Sequence, residues 1–204
     1  GVITAPARFD DETLLTALGA NAGNLMFQYA SPLLIDGPAR HIGLADIPYG
    51  DPHALRGARC LIFPAANHLR LGADWTGLCA FIEAAQLPLV VLGLGAQAGC
   101  DNRQEMRQAL RADPNLRRFA AVIRERATGL SFRGAYSAEV GADLGLEGAV
   151  LGCPSWLINP KPDLGAEIEA ALRAIESGPI GLAAAAPFEL SGNDTRLSLE
   201  RGLI

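Results

Sequence analysis

Arg133 lies at the centre of the stretch Gly129-Leu130-Ser131-Phe132-Arg133-Gly134-Ala135-Tyr136-Ser137. The pattern predicts a short strand over Leu130 to Arg133, a turn at Gly134 and a helix from Ala135 to Leu144, ended by Gly145. A guanidinium at a strand's C-terminal end, beside a helix N-terminus, suits a phosphate or carboxylate. Arg grips such groups bidentately and the helix amides add to the field. The plain alternative is an ion pair with an acidic neighbour such as Glu139. A second cluster follows another apolar run. Arg59-Cys60-Leu61-Ile62-Phe63 reads as a buried strand that ends at Pro64-Ala65-Ala66-Asn67-His68-Leu69-Arg70. An amide, an imidazole and a guanidinium therefore lie just past a strand end, where open α/β sheets hold their ligands. His68 is the only histidine so placed; a solvated loop histidine is its ordinary reading.

Between these clusters lies Leu87-Pro88-Leu89-Val90-Val91-Leu92-Gly93-Leu94-Gly95-Ala96-Gln97. The unbroken apolar run predicts a central parallel strand buried on both faces. Gly93 and Gly95 allow a tight turn and a close approach of backbone to whatever sits above the strand end, and Gln97 adds an amide. The ordinary reading is a strand and turn packed tightly on a helix. The dinucleotide fingerprint is incomplete, because Gly99-Cys100-Asp101-Asn102 extends the loop where a helix should open. Gly23-Asn24 opens an apolar helix that stops near Pro32. Its first amides could meet an anion or a sugar hydroxyl, or Asn24 could simply cap the helix. Ala149-Val150-Leu151 predicts one more strand, with Gly152-Cys153-Pro154-Ser155 as its terminal loop. Cys153 has no histidine near it in sequence to make it a nucleophile.

The elements that must position these residues alternate strand and helix. Asp11 to Leu18 could form a short helix and His41 to Ala45 a short strand. Asp74 is placed to cap a helix whose buried face is Trp75, Leu78, Cys79 and Ile82. Gln104 to Leu110 reads as helical, and Asp113-Pro114 restarts a helix with Leu116, Phe119, Ala120 and Ile123 inward. Arg111, Arg117, Arg118, Arg124 and Arg126 fall on its outer, solvated face. Asn159-Pro160-Lys161-Pro162-Asp163 is a linker, and Leu164, Ile168, Ala171, Leu172 and Ile175 mark a further helix. Ile180 to Ala186 reads as a strand. The expected architecture is α/β, a Rossmann-like parallel sheet flanked by helices over residues 1–177. Residues 178–204 begin a second, truncated domain, or else their strand joins the first sheet.

Bulk properties exclude several classes. Half of the 204 residues are hydrophobic, 19% are charged and the formal net charge is -5. That allows a large core and argues against disorder. No Lys/Arg run offers a nucleic-acid surface, so an anionic substrate must be met by local arginines. Cys60, Cys79, Cys100 and Cys153 are scattered, as are His41, His53 and His68, so no zinc pattern appears and reduced thiols in a reducing compartment are expected. No signal peptide is seen, and no apolar run reaches the roughly twenty residues needed to span a bilayer. A cytoplasmic setting follows as an expectation. Asn193-Asp194-Thr195, which matches a glycosylation acceptor, carries no meaning there.

Three features in order resemble the polysaccharide pyruvyl transferase family: Gly23-Asn24 opening a helix, the Leu92-Gly93-Leu94-Gly95-Ala96-Gln97 strand end, and Phe132-Arg133-Gly134-Ala135-Tyr136-Ser137 followed by Gly152-Cys153-Pro154-Ser155. The last pair is the specific part. The resemblance covers Gly23 to Asn159. Many members carry Gly-Gly-Gly where this chain has Ala65-Ala66-Asn67. The resemblance implies one half of a two-domain enzyme similar to the GT-B glycosyltransferases, with its active site in the interdomain cleft. It implies transfer of the enolpyruvyl unit of phosphoenolpyruvate onto two hydroxyls of a sugar, giving a pyruvate ketal. Arg133, with Gly134 and Ser137, is then the donor-binding group, and His68 the catalytic candidate, as donor contact or proton donor. Asn24, Asn67, Gly95, Gln97 and Ser155 are candidates to bind substrate. No metal or cofactor is expected; phosphoenolpyruvate is a co-substrate and a sugar or polysaccharide the acceptor. Neither nucleic acid nor stable membrane insertion is expected, and a homo-oligomer is compatible. The family's remaining arginine and histidine would lie beyond Ile204, so this chain is expected to be inactive alone. A GT-B glycosyltransferase using a nucleotide sugar and a non-catalytic sugar-binding module are the rival readings.

Overall fold

The computed structural model describes residues 10, 12–13, 23–40, 42, 55–99 and 102–175, with the side chains of Asn24 and Leu25 left out. The helix expected over Asp11–Leu18 is described only at Glu12 and Thr13. Of the strand expected at His41–Ala45 only Ile42 is described, and the strand expected at Ile180–Ala186 falls outside the described residues, as do His53, Cys100 and Asn193. Packing divides the chain into two units. One joins Gly1–Ala98 with Asn102–Ile158; the other joins Gly99–Asp101 with Asn159–Ile204. The division falls at the start of the Asn159–Asp163 linker.

The first unit is an α/β, Rossmann-like fold. Its four strands, β1 (Leu61–Pro64), β2 (Leu89–Leu94), β3 (Ala127–Phe132) and β4 (Ala149–Val150), run parallel in the order of the sequence. Its helices are α1 (Gly23–Leu33), α2 (Thr76–Ala85), α3 (Arg103–Ala112), α4 (Pro114–Arg126) and α5 (Ala135–Asp143), and a 3-10 turn spans Pro154–Leu157. Parallel neighbours need crossovers, and these helices supply them.

The core lies on the side of β2 that carries Leu89 and Val91. Leu78 and Ile82 of α2, Met106 and Leu110 of α3, Phe119 and Ile123 of α4, and Val140 of α5 close over these two together with Leu94 and Phe132. Burying a side chain of this size stabilises by about 1.5–3 kcal/mol. Val90 and Leu92, on the opposite side, are only half-buried. The expectation of a strand buried on both faces therefore holds for one face and half of the other.

Local chemistry explains the boundaries. Asp74 lies one residue outside the assigned cap of α2, yet its carboxylate accepts from Thr76 N at 2.9 Å and starts the helix. Asn102 accepts from Glu105 N to open α3. Asp113 accepts from both Asn115 N and Leu116 N, and Pro114 occupies the first turn of α4 as expected. Pro32 sits inside the last turn of α1, which continues one residue past it. Strand β3 starts at Ala127, three residues before the sequence suggests, because α4 runs straight into it.

The β2–β3 pairing slips twice, by one residue on each strand. Ala127 to Gly129 oppose Leu89 to Val90, and Val91 to Leu94 oppose Leu130 to Phe132. Each slip is mended by a hydroxyl. Thr128 Oγ1 donates to Leu89 O at 3.2 Å, and Gly93 N donates to buried Ser131 Oγ at 2.9 Å. The two bulges offset each other and rotate the end of β2, setting the geometry above it.

In the second unit, α6 (Leu164–Arg173) buries none of its residues; Ile168, Leu172 and Ile175 form an exposed apolar stripe. Among the described residues no helix is long and apolar enough to cross a membrane. None of them form a cluster of three metal-ligating side chains, and Cys60, Cys79 and Cys153 are all free thiols.

Candidate functional site: the strand-end rim

The C-terminal ends of the strands knit together. Beyond β1 the chain turns back to pair with the extension of β2. Gly95 N donates to Ala66 O at 2.9 Å, Leu69 N to Gly95 O at 3.0 Å and Gln97 N to Leu69 O at 3.0 Å. Ala96 N donates to Ser137 Oγ at 3.0 Å, which ties α5 to the same rim. Gly93 has φ +66, and a Cβ there would sit 2.8 Å from Pro154 Cδ; at Gly95 a Cβ would sit 2.6 Å from Asn67 Oδ1. Both glycines are therefore needed where the sequence suggested. What presses on them is the chain's own loops, the β4 loop on Gly93 and Asn67 on Gly95. Asn67 and Ser137 are correspondingly engaged within the fold.

Arg133 is half-buried. Its Nη2 donates to Ala65 O at 3.0 Å, its Cζ lies 5.6 Å from the centre of the Phe27 ring, and its Nε is buried without a hydrogen-bond partner. No carboxylate pairs with it among the described residues. The alternative, a pair with Glu139, does not form. Glu139 takes Arg103 at 3.6 Å and Arg107 at 3.2 Å instead, and Arg107 also grips Asp143. That network holds the Asp143 carboxyl below its ordinary range, chiefly through the Arg107 hydrogen bonds. Arg133 leads directly into α5, whose N-terminus at Gly134 has no side-chain cap. A Cβ at Gly134 would meet nothing within 4 Å, so the space above this turn is open. A half-buried cation with an idle buried donor is a high-energy arrangement unless an anion completes it.

His68 proves to be a packed histidine. Its ring lies 4.8 Å from Phe63 edge-on and 4.6 Å from Trp75. Ala66 N donates to its Nδ1 at 2.9 Å. Nδ1 thus acts as an acceptor, and the neutral ring carries its proton on Nε2. Burial lowers the pKa from 6.5 to about 4; the Ala66 backbone opposes this in part, and the Arg70 and Arg133 cations push downward with burial. At neutral pH the ring is uncharged. It can offer an Nε2–H hydrogen bond but is a poor source of a proton, which disfavours the proton-donor half of the role expected for it.

The remaining expected residues spread along the same rim. Ser155 is the second residue of the 3-10 turn, after Pro154, and its hydroxyl donates to Cys153 Sγ at 3.1 Å. Gln97 is half-buried with its backbone tied to Leu69. Asn24 lies in the first turn of α1, which packs on the 3-10 turn; its side chain is outside the described part. Three participants escaped sequence reasoning. Phe27, under the guanidinium, read only as part of an apolar helix. The Ala65–Ala66 peptide has no side-chain signal. Ser131 could have been found, as the lone polar residue between Leu130 and Phe132. A comparison with family models, with curated proteins and with solved structures finds no match for this chain. A hollow of about 600 Å³ lies elsewhere, along the outer edge of β1. Ser31, Ile35, Ile62, Phe81 and Leu89 are among the residues around it, and neither Arg133 nor His68 is. The unneutralised cation, rather than the size of this hollow, marks the rim as the candidate site.

Proposed function

We propose that the chain binds the donor of a pyruvyl transfer, with Arg133 as the phosphate or carboxylate contact, in an enzyme of the polysaccharide pyruvyl transferase type. The observation that carries the reading is Arg133 itself, a cation without a carboxylate, with Nε buried and unpartnered at a strand end. The sequence segments that resemble the family also support it. The strand-end segments gather on one rim, and α1, which Gly23-Asn24 opens, packs on the 3-10 turn that follows Cys153.

In such a transfer the methylene carbon of phosphoenolpyruvate takes a proton, one sugar hydroxyl oxygen bonds to C2, and the C2–O bond to phosphate breaks. A second hydroxyl closes the ketal, and inorganic phosphate leaves with the remaining proton. Arg133 would hold the anion that becomes the leaving group, where positive charge matters most. His68 would contribute a neutral Nε2–H bond. The proton for the methylene carbon would come from another acid, because His68 is uncharged at neutral pH.

Thermal shift with phosphoenolpyruvate against a UDP-sugar tests the reading. A ligand that binds only the folded state raises Tm. Phosphoenolpyruvate should raise it, and Arg133→Ala should abolish the rise. Stabilisation by the UDP-sugar alone would favour a GT-B glycosyltransferase. Stabilisation by neither, with a response to neutral sugars, would favour a sugar-binding module.

A further inference from the structure

The Ala65–Ala66 peptide group is held at both ends. Its C=O accepts from Arg133 Nη2 at 3.0 Å and its N–H donates to His68 Nδ1 at 2.9 Å. The peptide is trans, so these two bonds leave it in opposite directions. The guanidinium and the imidazole therefore sit at opposite edges of one rigid peptide plane, within roughly 8 Å of each other, given two bonds of about 3 Å and the width of a peptide. Several further bonds fix the imidazole end. His68 N donates to Ala66 O at 2.8 Å, and Trp75 Nε1 donates to His68 O at 2.9 Å. Phe63 and Trp75 restrain the ring itself. By contrast, among the described residues the guanidinium end has one polar bond and the Phe27 ring.

We infer that His68 is the positioning residue for Arg133: by accepting from Ala66 N–H it fixes the peptide whose carbonyl aims the guanidinium. This rests on the reading of Arg133 as the donor contact. Hydrogen bonds in series polarise one another, so accepting at the N–H end strengthens the carbonyl as an acceptor at the other. Removing the Nδ1 acceptor leaves the Ala66 N–H without its partner, and the peptide is released to tilt.

Two substitutions separate the acceptor from the ring. His68→Asn keeps an acceptor oxygen near the Nδ1 position and discards the aromatic packing. His68→Phe keeps the ring between Phe63 and Trp75 and discards the acceptor. The first readout needs no ligand: the side-chain Nη signals of Arg133 in the 15N-labelled chain, assigned by their loss in Arg133→Gln. In the wild type and in His68→Asn, the bond to Ala65 O should keep them resolved and slowly rotating. In His68→Phe they should collapse towards free rotation. The second readout is the phosphoenolpyruvate Kd: both variants lose the Nε2–H contact, and the Kd should be about tenfold weaker in His68→Phe than in His68→Asn. Unchanged Nη signals in His68→Phe would overturn the proposal, and so would equal collapse in both variants. If wild type binds no phosphoenolpyruvate, the donor reading fails while the Nη signals still decide the positioning role. If His68→Phe fails to give a folded amide spectrum, His68→Gln, whose acceptor is one bond too far out, replaces it with the same expectation.

Discussion

At the scale of single residues, the account turns on two side chains whose roles depend on burial more than on type. His68 has its pKa lowered from 6.5 to about 4. Above pH 6.5 the ring is neutral in both the folded and unfolded chain and the shift has no effect on stability. Between 6.5 and about 4 the unfolded chain takes up a proton that the folded chain refuses, so stability falls as the pH falls. The full effect is about 3 kcal/mol at the bottom of that window. Urea titrations at pH 7 and pH 4.5 should show this loss in wild type. His68→Phe should lack that component while being less stable at both values, because Ala66 N–H has lost its acceptor. An identical pH slope in both proteins would refute the assignment. The sequence placed Arg133 and His68 at strand ends, and that much was legible. It could not show that one peptide joins them, because the joint is made by backbone atoms of Ala65 and Ala66, which leave no side-chain trace. Nor could it show that Glu139 prefers Arg103 and Arg107.

At the scale of elements, the bulge at the end of β2 aims the rim. Gly93→Ala must place a Cβ on a backbone at φ +66 and within 2.8 Å of the Pro154 ring. It should cost about 2 kcal/mol or more, since the left-handed conformation alone costs about 1–3 kcal/mol for a residue with a side chain. Ser131→Ala removes the acceptor of Gly93 N and should cost about 1–3 kcal/mol. Asp113→Ala, which deletes the cap of α4, should cost about 1 kcal/mol and leave the rim untouched. Denaturant midpoints of the three variants check these values. A Gly93→Ala chain as stable as wild type would mean that the bulge is not fixed as described. Helix starts were readable from Asp74, Asp113 and Pro114, because capping chemistry is local. The paired bulges were not, since register is decided between strands. Thr128 and Ser131 reveal their purpose only once β2 and β3 lie side by side.

At the scale of the molecule, the alternation of apolar runs and helical patterns was enough to predict a parallel α/β sheet, and the chain-ordered four-stranded sheet bears that out. The same topology gathers Arg133, His68, Asn67, Ser137 and the Cys153 loop at the C-terminal ends of the strands, where open sheets of this kind meet their ligands. A glycine pair that suggested ligand approach turned out to serve contacts between loops. The open turn at Gly134 lies beside the unneutralised arginine instead. Gly134→Val should therefore leave the unfolding midpoint nearly unchanged and weaken anion binding, as a paired thermal and binding measurement would register. The most direct test follows the Arg133 Nε–Hε signal of the 15N-labelled wild-type chain during titration with phosphoenolpyruvate. A saturable shift of that signal, missing when an uncharged sugar is added, is the result predicted here. A signal that stays in place while phosphoenolpyruvate binds, or a chain that takes up no phosphoenolpyruvate at all, would contradict it.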